Sequence, residues 1–336
     1  MDILPFLEAA SHTPVIDVRS PAEFEKGHIP GAHNIPLFTN EERALVGTCY
    51  KNKGKDPAVM LGLELVGPKL ASFVKTAGAL APGRKVLVHC WRGGMRSSSF
   101  AWLLQTAGFE AATLRKGYKA YRNHVLKSFE CSYKLIVLGG ETGSGKTEIL
   151  KQLAARGEQF VDLEAMAHHK GSSFGALGQA PQPGVEAFEN ILSARLAALD
   201  LSRRIWVEDE SRSIGRVFIP PAFWKQMKEA PLYCIQVARE KRIERLLAEY
   251  GLFSKSELAA AVSRIEKRLG GLATQECLAA LEAGDLYTVA SLTLAYYDKA
   301  YNHNHLGKEV QDRLQRIAIP AGDPAEAAET LLAVVS

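Results

Sequence analysis

The sequence lacks the cysteine pattern of a secreted or zinc-binding protein. Its five cysteines, in a chain of 336 residues, are odd in number and widely spaced, and no two form a CxxC pair. We therefore expect neither a disulfide framework nor a zinc site. The chain also lacks a run of about 18 uninterrupted apolar residues and a basic segment at its start. We expect no transmembrane helix and no secretory signal, and a reducing cytoplasm as the compartment.

A strong charge excess, an internal repeat and a low-complexity tract are also missing. The formal net charge is only +4, whereas a dedicated nucleic-acid-binding domain is usually more basic. Composition therefore permits contact with nucleic acid without requiring it. Hydrophobic residues make up 47% of the chain and charged residues 23%, as in ordinary globular proteins, and the length suits two or three domains.

Short apolar strands alternate with helical stretches along the chain. The first series predicts strands at 14–18, 85–89 and 112–114, with a helix at 96–106. The second predicts strands at 134–138, 160–163, 204–207, 232–237 and 316–319, with a helical, charged segment at 239–300. This alternation is typical of α/β domains with mainly parallel sheets. We predict two α/β domains, at residues 1–128 and 129–336.

A phosphate-binding loop is the clearest motif of the second domain. The pattern G-x-x-x-x-G-K-[ST] lies between an apolar strand and a predicted helix. Glycines allow the backbone N–H groups to surround an anion, the lysine adds a positive charge, and the hydroxyl can bind Mg²⁺. The motif does not distinguish a nucleoside triphosphate from a diphosphate ester or another polyphosphate. The predicted phosphate site comprises Gly140, Gly143, Ser144, Gly145, Lys146 and Thr147, with Mg²⁺ at Thr147.

Charged residues at strand ends complete the predicted phosphate site. Asp209 follows the strand at 204–207, beside Glu208, and is the Walker-B-like carboxylate that we expect near the metal. Asp162 closes the strand at 160–163 and is predicted to position a substrate group. Arg239 and Arg242 begin a helical stretch where P-loop kinases often place lid arginines. For each of these residues, a solvated surface position is the alternative.

The first domain contains a second predicted anion-binding loop, centred on Cys90. Cys90 ends the strand at 85–89, and a helix is predicted to begin near Arg96. Inward-facing N–H groups, a helix N-terminus and the charges of Arg92 and Arg96 all favour the thiolate, which is the nucleophilic form of cysteine. The spacing C-x5-R fits both phosphate-ester hydrolysis through a cysteinyl phosphate and sulfur or selenium transfer through a persulfide or perselenide.

Two further segments resemble the signatures of rhodanese domains. Residues 16–36 read IDVRSPAEFEKGHIPGAHNIP, and residues 114–121 read LRKGYKAY. Cdc25-like phosphatases share this fold, so the signature indicates the fold more firmly than the reaction.

The combination of both loops resembles the bacterial tRNA 2-selenouridine synthase family across essentially the full length. The segments that carry the resemblance are residues 89–97, 139–147, 162–165, 168–175 and 207–211. The resemblance implies an N-terminal rhodanese-like domain and a C-terminal P-loop NTPase or kinase-like domain with a helical insertion. It also implies conversion of 2-thiouridine at the wobble position of tRNA to 2-selenouridine. The alternative is a Cdc25-like cysteine phosphatase or a sulfurtransferase fused to a P-loop kinase module.

The family's chemistry implies the co-substrates and partners. Selenophosphate donates selenium, and geranyl diphosphate supplies an S-geranyl-2-thiouridine intermediate, so the P-loop is expected to hold a diphosphate, with Mg²⁺. We expect no tightly bound cofactor, no membrane association and no protein partner apart from the selenophosphate donor system. The tRNA anticodon region is expected to meet a basic surface, for which the candidates are Arg115, Lys116, Lys119 and Arg122. Tyr296, Tyr297 and Tyr301 are expected to pack on neighbouring helices rather than to stack on bases.

Overall fold

The computed structural model describes residues 1–304 and 307–335, which form two compact units. The first unit comprises residues 1–128 together with residues 189–194, and the second comprises residues 129–188 and 195–336. Both have a parallel β-sheet with helices, as the sequence predicts.

The first unit is built on a four-stranded parallel sheet in the order β2-β1-β3-β4. Its strands are β1 (Val15–Asp17), β2 (His33–Asn34), β3 (Lys85–His89) and β4 (Glu110–Thr113). Its helices are α1 (Ile3–Ala10), α2 (Pro21–Lys26), α3 (Asn40–Lys53), α4 (Lys55–Val66), α5 (Leu70–Leu80), α6 (Met95–Thr106) and α7 (Gly117–Ser128). The sequence did not predict α7, because its basic residues obscure the apolar side that buries Tyr118, Tyr121 and Val125.

Local sequence explains why the rhodanese-like signature forms a strand followed by a helix. The Ser20 hydroxyl accepts a hydrogen bond from the Glu23 N–H, and the Glu23 carboxylate accepts one from the Ser20 N–H. This capping box, with proline at the first helical position, starts α2 directly after β1. Asp17 and Arg19 are fully buried and joined by an ion pair of 2.6 Å, and Asp17 pairs with His89 in the sheet.

The second unit has a five-stranded parallel sheet in the order β11-β10-β5-β7-β6. Its strands are β5 (Leu135–Gly140), β6 (Gln159–Val161), β7 (Ile205–Glu208), β10 (Leu232–Gln236) and β11 (Leu314–Ala318), and an antiparallel pair lies apart, β8 (Ser213–Ile214) with β9 (Val217–Phe218). The central strand β5 is buried along its whole length, as expected for a parallel sheet covered on both faces. The P-loop that follows it therefore starts from a fixed position.

Eleven helices complete the second unit over the described residues. They are α8 (Lys146–Ala155), α9 (Leu163–Ala167), α10 (Val185–Ala197), α11 (Pro221–Glu229), α12 (Arg239–Tyr250), α13 (Lys255–Ser263), α14 (Glu266–Leu269), α15 (Gly271–Ala283), α16 (Leu286–Asn304), α17 (Lys308–Gln311) and α18 (Pro324–Val334). Helices α12 to α17 separate β10 from β11, which confirms the predicted helical insertion.

One helical stretch meets the length and composition expected of a membrane span. Helices α4 and α5 and the 3-10 turn between them cover Lys55–Leu80, and an 18-residue window within this stretch has a mean hydropathy of 1.3. One such stretch is weak evidence of a membrane span, because it is identified by length and composition only.

Candidate functional site

The Cys90 loop connects β3 to α6 and is held in place by backbone contacts. The Cys90 carbonyl accepts a hydrogen bond of 2.8 Å from the Tyr118 N–H, and the Trp91 carbonyl accepts one of 3.0 Å from the Lys119 N–H. Gly93 has a φ of +64°, and a Cβ there would lie 2.6 Å from the Leu114 carbonyl oxygen. The segment that resembled the end of a rhodanese domain is therefore the support of the cysteine loop.

The Cys90 thiol is set up to ionise although only 2% of the residue is exposed. Burial disfavours the thiolate, but the Ser97 hydroxyl, the charge of Arg96 and the N–H groups of Ser97 and Gly94 outweigh it and lower the pKa of Cys90. The distance from Sγ to the Ser97 Oγ is 3.2 Å. These are the donors that the sequence predicted from a strand-to-helix turn, with Ser97 as an addition.

The two arginines of the loop differ in their surroundings. Arg96 donates from Nη1 to the Glu23 carboxylate at 2.8 Å, so its orientation is fixed by the residue that also caps α2. Arg92 is exposed and lines a concave surface with Lys116, Lys119, Ala120 and Asn123. Arg96 therefore stabilises the thiolate from a fixed position, and Arg92 faces solvent where a substrate can approach.

The histidine before Cys90 is neutral at physiological pH. His89 is fully buried, and this burial lowers its pKa to about 4 against the opposing charge of Asp17. Its Nε2 lies 3.7 Å from the Asp17 carboxylate. His89 therefore contributes to the core beneath the loop and adds no positive charge to the thiol's surroundings.

The P-loop connects β5 to α8 with the expected backbone geometry. Gly143 and Gly145 have φ values of +78° and +83°, which glycine adopts readily. The Lys146 ammonium donates to the Gly140 carbonyl at 3.1 Å. The Thr147 hydroxyl donates to the Glu208 carboxylate at 2.8 Å. The loop, the lysine and the hydroxyl thus have the arrangement of a phosphate site.

The carboxylate beside Thr147 belongs to Glu208, the last residue of β7. Asp209, for which the sequence predicted this position, accepts a hydrogen bond of 3.3 Å from the Tyr301 hydroxyl. Successive side chains in a strand point to opposite faces, which explains why the two neighbours face different partners. Glu210 lies beyond the end of β7, and its N–H donates to the Glu208 carbonyl at 3.0 Å, so strand alternation does not predict that it joins Glu208.

Three glutamates converge beside the P-loop lysine. One carboxylate oxygen each from Glu164, Glu208 and Glu210 lies within 4.8 Å of the others. Burial, together with the neighbouring carboxylates, raises the pKa to about 8 for Glu164 and Glu208 and to about 7 for Glu210. The carboxylates in turn raise the pKa of Lys146 against the effect of burial. The sequence did not predict Glu164 or Glu210, because they meet Glu208 only in the folded sheet.

The remaining predicted substrate residues have partners within the second unit. Asp162 caps α9 by accepting from the Ala165 N–H at 2.8 Å. Arg239 donates to the carbonyl and hydroxyl of Ser291. Their roles toward a substrate stay predictions.

Arg242 connects the P-loop to helices α12 and α16. Only 3% of the residue is exposed, and its guanidinium binds both carboxylate oxygens of Asp298 at 2.7 and 2.9 Å. It also donates to the Thr142 carbonyl at 3.2 Å and lies 3.0 Å from the Glu141 carboxylate. These contacts join α12 and α16 to the first half of the loop.

Tyr301 contacts the P-loop, a position that sequence reasoning missed. Its hydroxyl accepts a hydrogen bond of 2.8 Å from the Gly140 N–H, and a Cβ at Gly139 would lie only 2.7 Å from it. Tyr297, in contrast, has its hydroxyl against Ser173 and packs within the helices. Tyrosine spacing in a sequence does not distinguish these two environments.

The basic residues near the end of the first unit have different surroundings. Arg115, Lys116 and Lys119 are exposed, and Arg115 forms an ion pair with Asp2 at 2.6 Å. The guanidinium of Arg122 instead bonds to Glu189 and Asn190. Three of the four predicted tRNA-binding residues are thus exposed, although the charge of Arg115 is paired with that of Asp2.

Comparison with known proteins gives one family for both units. Residues 133–331 match the model of the tRNA 2-selenouridine synthase AAA domain, and residues 6–124 match that of the rhodanese-like domain. The tRNA 2-selenouridine synthase of Sulfurovum sp. (strain NBC37-1) is 36% identical, over 87% of this chain and 89% of its own. That of Marinobacter nauticus is also 36% identical, over 88% and 89% respectively. That of Shewanella denitrificans is 35% identical, over 90% and 92%.

These matches confirm the resemblance that the motifs indicated. Between them, the two family models reach from residue 6 to residue 331. The chain therefore belongs to the tRNA 2-selenouridine synthase family, whose members are tRNA-modifying transferases.

Proposed function

We propose that this protein converts 2-thiouridine at the tRNA wobble position to 2-selenouridine in two steps. First, the sulfur of 2-thiouridine attacks C1 of geranyl diphosphate, and diphosphate leaves with the electron pair of the C–O bond. Selenium from selenophosphate then replaces the geranylthio group, and water completes the release of geranylthiol and phosphate. Family membership supports the conversion of tRNA 2-thiouridine to 2-selenouridine. The use of selenophosphate and geranyl diphosphate, and the S-geranyl intermediate, are inferred from the resemblance of the motifs to those of the family.

The position of the Cys90 thiol, 3.2 Å from the Ser97 hydroxyl and beside the charge of Arg96, is the observation that carries the assignment of the selenium step. A thiolate is a strong nucleophile, and here Ser97 and Arg96 outweigh the effect of burial. A structural cysteine in an apolar pocket would have a raised pKa instead. We assign Cys90 as the nucleophile that attacks C2 of the geranylated base, so that geranylthiol leaves with the electron pair of the C–S bond and takes up a proton. The selenium of selenophosphate then displaces the Cys90 thiolate from C2, and water cleaves the Se–P bond to release phosphate. Arg96 is assigned to stabilise the negative charge of the thiolate, and Arg92 to contact the incoming anion.

The P-loop supports diphosphate binding in the geranylation step. Its N–H groups, the start of α8 and the Lys146 ammonium are suited to the two phosphates, and their positive charge stabilises the leaving group. Thr147 and Glu208, which are hydrogen-bonded to each other, fit a divalent cation such as Mg²⁺, because both offer oxygen ligands. Such an ion would neutralise part of the charge that develops on diphosphate.

A basic surface of the first unit supports tRNA binding. Lys116, Asn123, His124 and Lys127 line a concavity of about 570 Å³. Arg92, from the cysteine loop, joins Lys116 and Lys119 in the adjoining one. Because phosphate contacts from lysine and arginine dominate nucleic-acid affinity, we propose that the tRNA backbone follows this surface toward Cys90. A tRNA substrate implies that the protein acts in the cytoplasm.

Mass spectrometry of wobble nucleosides tests the two steps separately. With purified protein and 2-thiouridine tRNA, Cys90→Ser is expected to accumulate S-geranyl-2-thiouridine without forming 2-selenouridine. Lys146→Ala is expected to lose geranylation but to convert tRNA that already carries the geranyl group. Cys131→Ser and Lys151→Ala, at exposed positions, are the matched controls and should behave as the parent protein.

The opposite pattern would refute the assignment of the two loops. If Lys146→Ala lost selenation of geranylated tRNA while sparing geranylation, the P-loop would not serve the geranyl donor. If Cys90→Ser formed 2-selenouridine at the parent rate, Cys90 would not be the nucleophile.

A further inference from the structure

The carboxylates of Glu164, Glu208 and Glu210 form a cluster that the proposed reaction does not by itself require. Glu164 lies in the first turn of α9, Glu208 ends β7, and Glu210 follows two residues later. One oxygen from each lies within 4.8 Å of the other two. When all three are ionised they repel one another, and either bound protons or a bound cation would relieve this repulsion.

An unpartnered buried oxygen points to a ligand for this cluster. Glu208 is fully buried, and its Oε1 accepts from the Thr147 hydroxyl. Its other oxygen, Oε2, has no hydrogen-bond partner among the residues that the structure describes. A buried carboxylate oxygen without a partner is unfavourable, and a coordinated cation would remove that cost.

The backbone of Gly171 packs closely against two of the three carboxylates. Gly171, with a φ of +66°, lies so near that a Cβ there would be 2.7 Å from the Glu210 Oε2 and 3.3 Å from the Glu164 Oε1. A side chain at position 171 would collide with these two carboxylates, so glycine allows the backbone to pass beside them.

Charge and size both suit a divalent cation. When ionised, the three carboxylates and the Lys146 ammonium together carry a net charge of −2, which a divalent cation would balance. In an octahedral Mg²⁺ site, bonds of about 2.1 Å place neighbouring oxygens about 3 Å apart and opposite ones about 4.2 Å apart. The three carboxylate oxygens lie within 4.8 Å of one another, so side-chain movements would bring them to these separations.

We propose that Glu164, Glu208 and Glu210 directly coordinate a divalent hard cation, Mg²⁺ or Mn²⁺, before any phosphate compound binds. This inference deepens the proposed function, because the cation would lie beside the loop that is expected to hold diphosphate. It differs from the ordinary P-loop arrangement, in which the ion bridges phosphate oxygens and the hydroxyl of the loop. With three protein carboxylates as ligands, binding does not depend on phosphate.

Manganese titration of the full-length protein, without phosphate or tRNA, tests this proposal. Free Mn²⁺ gives a six-line electron paramagnetic resonance signal that is lost on binding, so the signal counts bound ions. We expect one tight site in the parent protein, from which added Mg²⁺ displaces Mn²⁺. Glu164→Gln and Glu210→Gln should each weaken it by about 10-fold or more, by analogy with other changes at metal sites.

The matched control is Glu148→Gln, which removes an exposed carboxylate one residue from Thr147 and should bind Mn²⁺ as the parent does. Circular dichroism confirms that each variant is folded. The titration of the parent protein decides the question even where a variant fails to fold, since the absence of a phosphate-independent site overturns the proposal. Parent-like affinity in both glutamine variants overturns it as well.

A second arm with inorganic diphosphate separates this proposal from the proposed function. If Mn²⁺ binds only after diphosphate is added, the carboxylate site is refuted while the P-loop assignment is supported. If Mn²⁺ binds alone and is lost in the glutamine variants, but diphosphate never binds, the carboxylate site stands and the assigned role of the P-loop fails.

Discussion

Replacing Gly93 with alanine should destabilise the first unit by more than the backbone angle alone explains. Gly93 has a φ of +64°, and an added Cβ would lie 2.6 Å from the Leu114 carbonyl oxygen and 2.8 Å from the N–H nitrogens of Lys116 and Gly117. All three neighbours are backbone atoms, so no side chain can rotate away. The loop or the segment before α7 must shift.

Gly31 offers a matched control in the same unit. Its φ is +79°, and an added Cβ would have no atom within 4 Å. An alanine in the left-handed region costs about 1–2 kcal/mol at either position. Forced overpacking adds about 1–3 kcal/mol, and this contribution arises only at Gly93. We therefore expect Gly93→Ala to lower the free energy of unfolding by about 2–5 kcal/mol and Gly31→Ala by about 1–2 kcal/mol.

Urea denaturation of the full chain, followed by circular dichroism, measures the difference between the two variants. A shift of the midpoint with an unchanged slope indicates a change in stability rather than in the unfolded state. Iodoacetamide reaction at Cys90 provides a local readout, since displacement of the loop would disturb the contacts that lower the pKa of the thiol. Equal destabilisation by both substitutions would refute the argument that close backbone approach requires glycine at position 93.

Three further predictions concern the cysteine loop, the support of the P-loop and the basic surface. Ser97→Ala should raise the pKa of Cys90, because it removes a hydrogen bond to the thiolate. Less thiolate then exists at pH 7, so alkylation slows and its pH profile moves to higher pH. Arg242→Met should lower the free energy of unfolding in urea by about 2–4 kcal/mol, because it leaves Asp298 without its bidentate partner. Lys119→Ala should lower the slope of log affinity for tRNA against log salt by about 1, the change expected for one lost phosphate contact.

Each of these predictions has a matched comparison. The control is Ser98→Ala, because the Ser98 hydroxyl donates to the Gly94 carbonyl, and this change should not alter the alkylation profile of Cys90. Equal effects of Ser97→Ala and Ser98→Ala would contradict the hydrogen bond assigned between Ser97 and the Cys90 thiol. The double variant Arg242→Met, Asp298→Leu should recover part of the lost stability, whereas additive losses would show that the pair is not coupled. Arg122→Ala should leave the salt slope unchanged, because its guanidinium already bonds to Glu189 and Asn190.

The sequence alone determined the two folds, the positions of both strand-to-helix loops and the helical insertion. These features depend on local patterns, such as apolar strands that end in glycine-rich turns, and local patterns are visible in one dimension. It also indicated the family, because both loops and their flanking segments match the family's motifs in order. The strand-to-helix turn after β3 predicted that backbone N–H groups and Arg96 would lie near the Cys90 thiol. The sequence did not identify the Ser97 hydroxyl as a further donor, or Glu23 as the partner of Arg96.

Only the tertiary structure decided which charged residues meet. Asp209 was predicted beside Thr147, but the orientation of β7 brings Glu208 there and gives Asp209 a hydrogen bond from Tyr301. Glu164 joins Glu208 through the pairing of β6 with β7, although 44 residues separate them in the sequence. A carboxylate at a strand end is typical of solvated surfaces as well as of metal sites. The packing that removes water and assembles three carboxylates beside Lys146 is a property of the folded sheet, and no local pattern contains it.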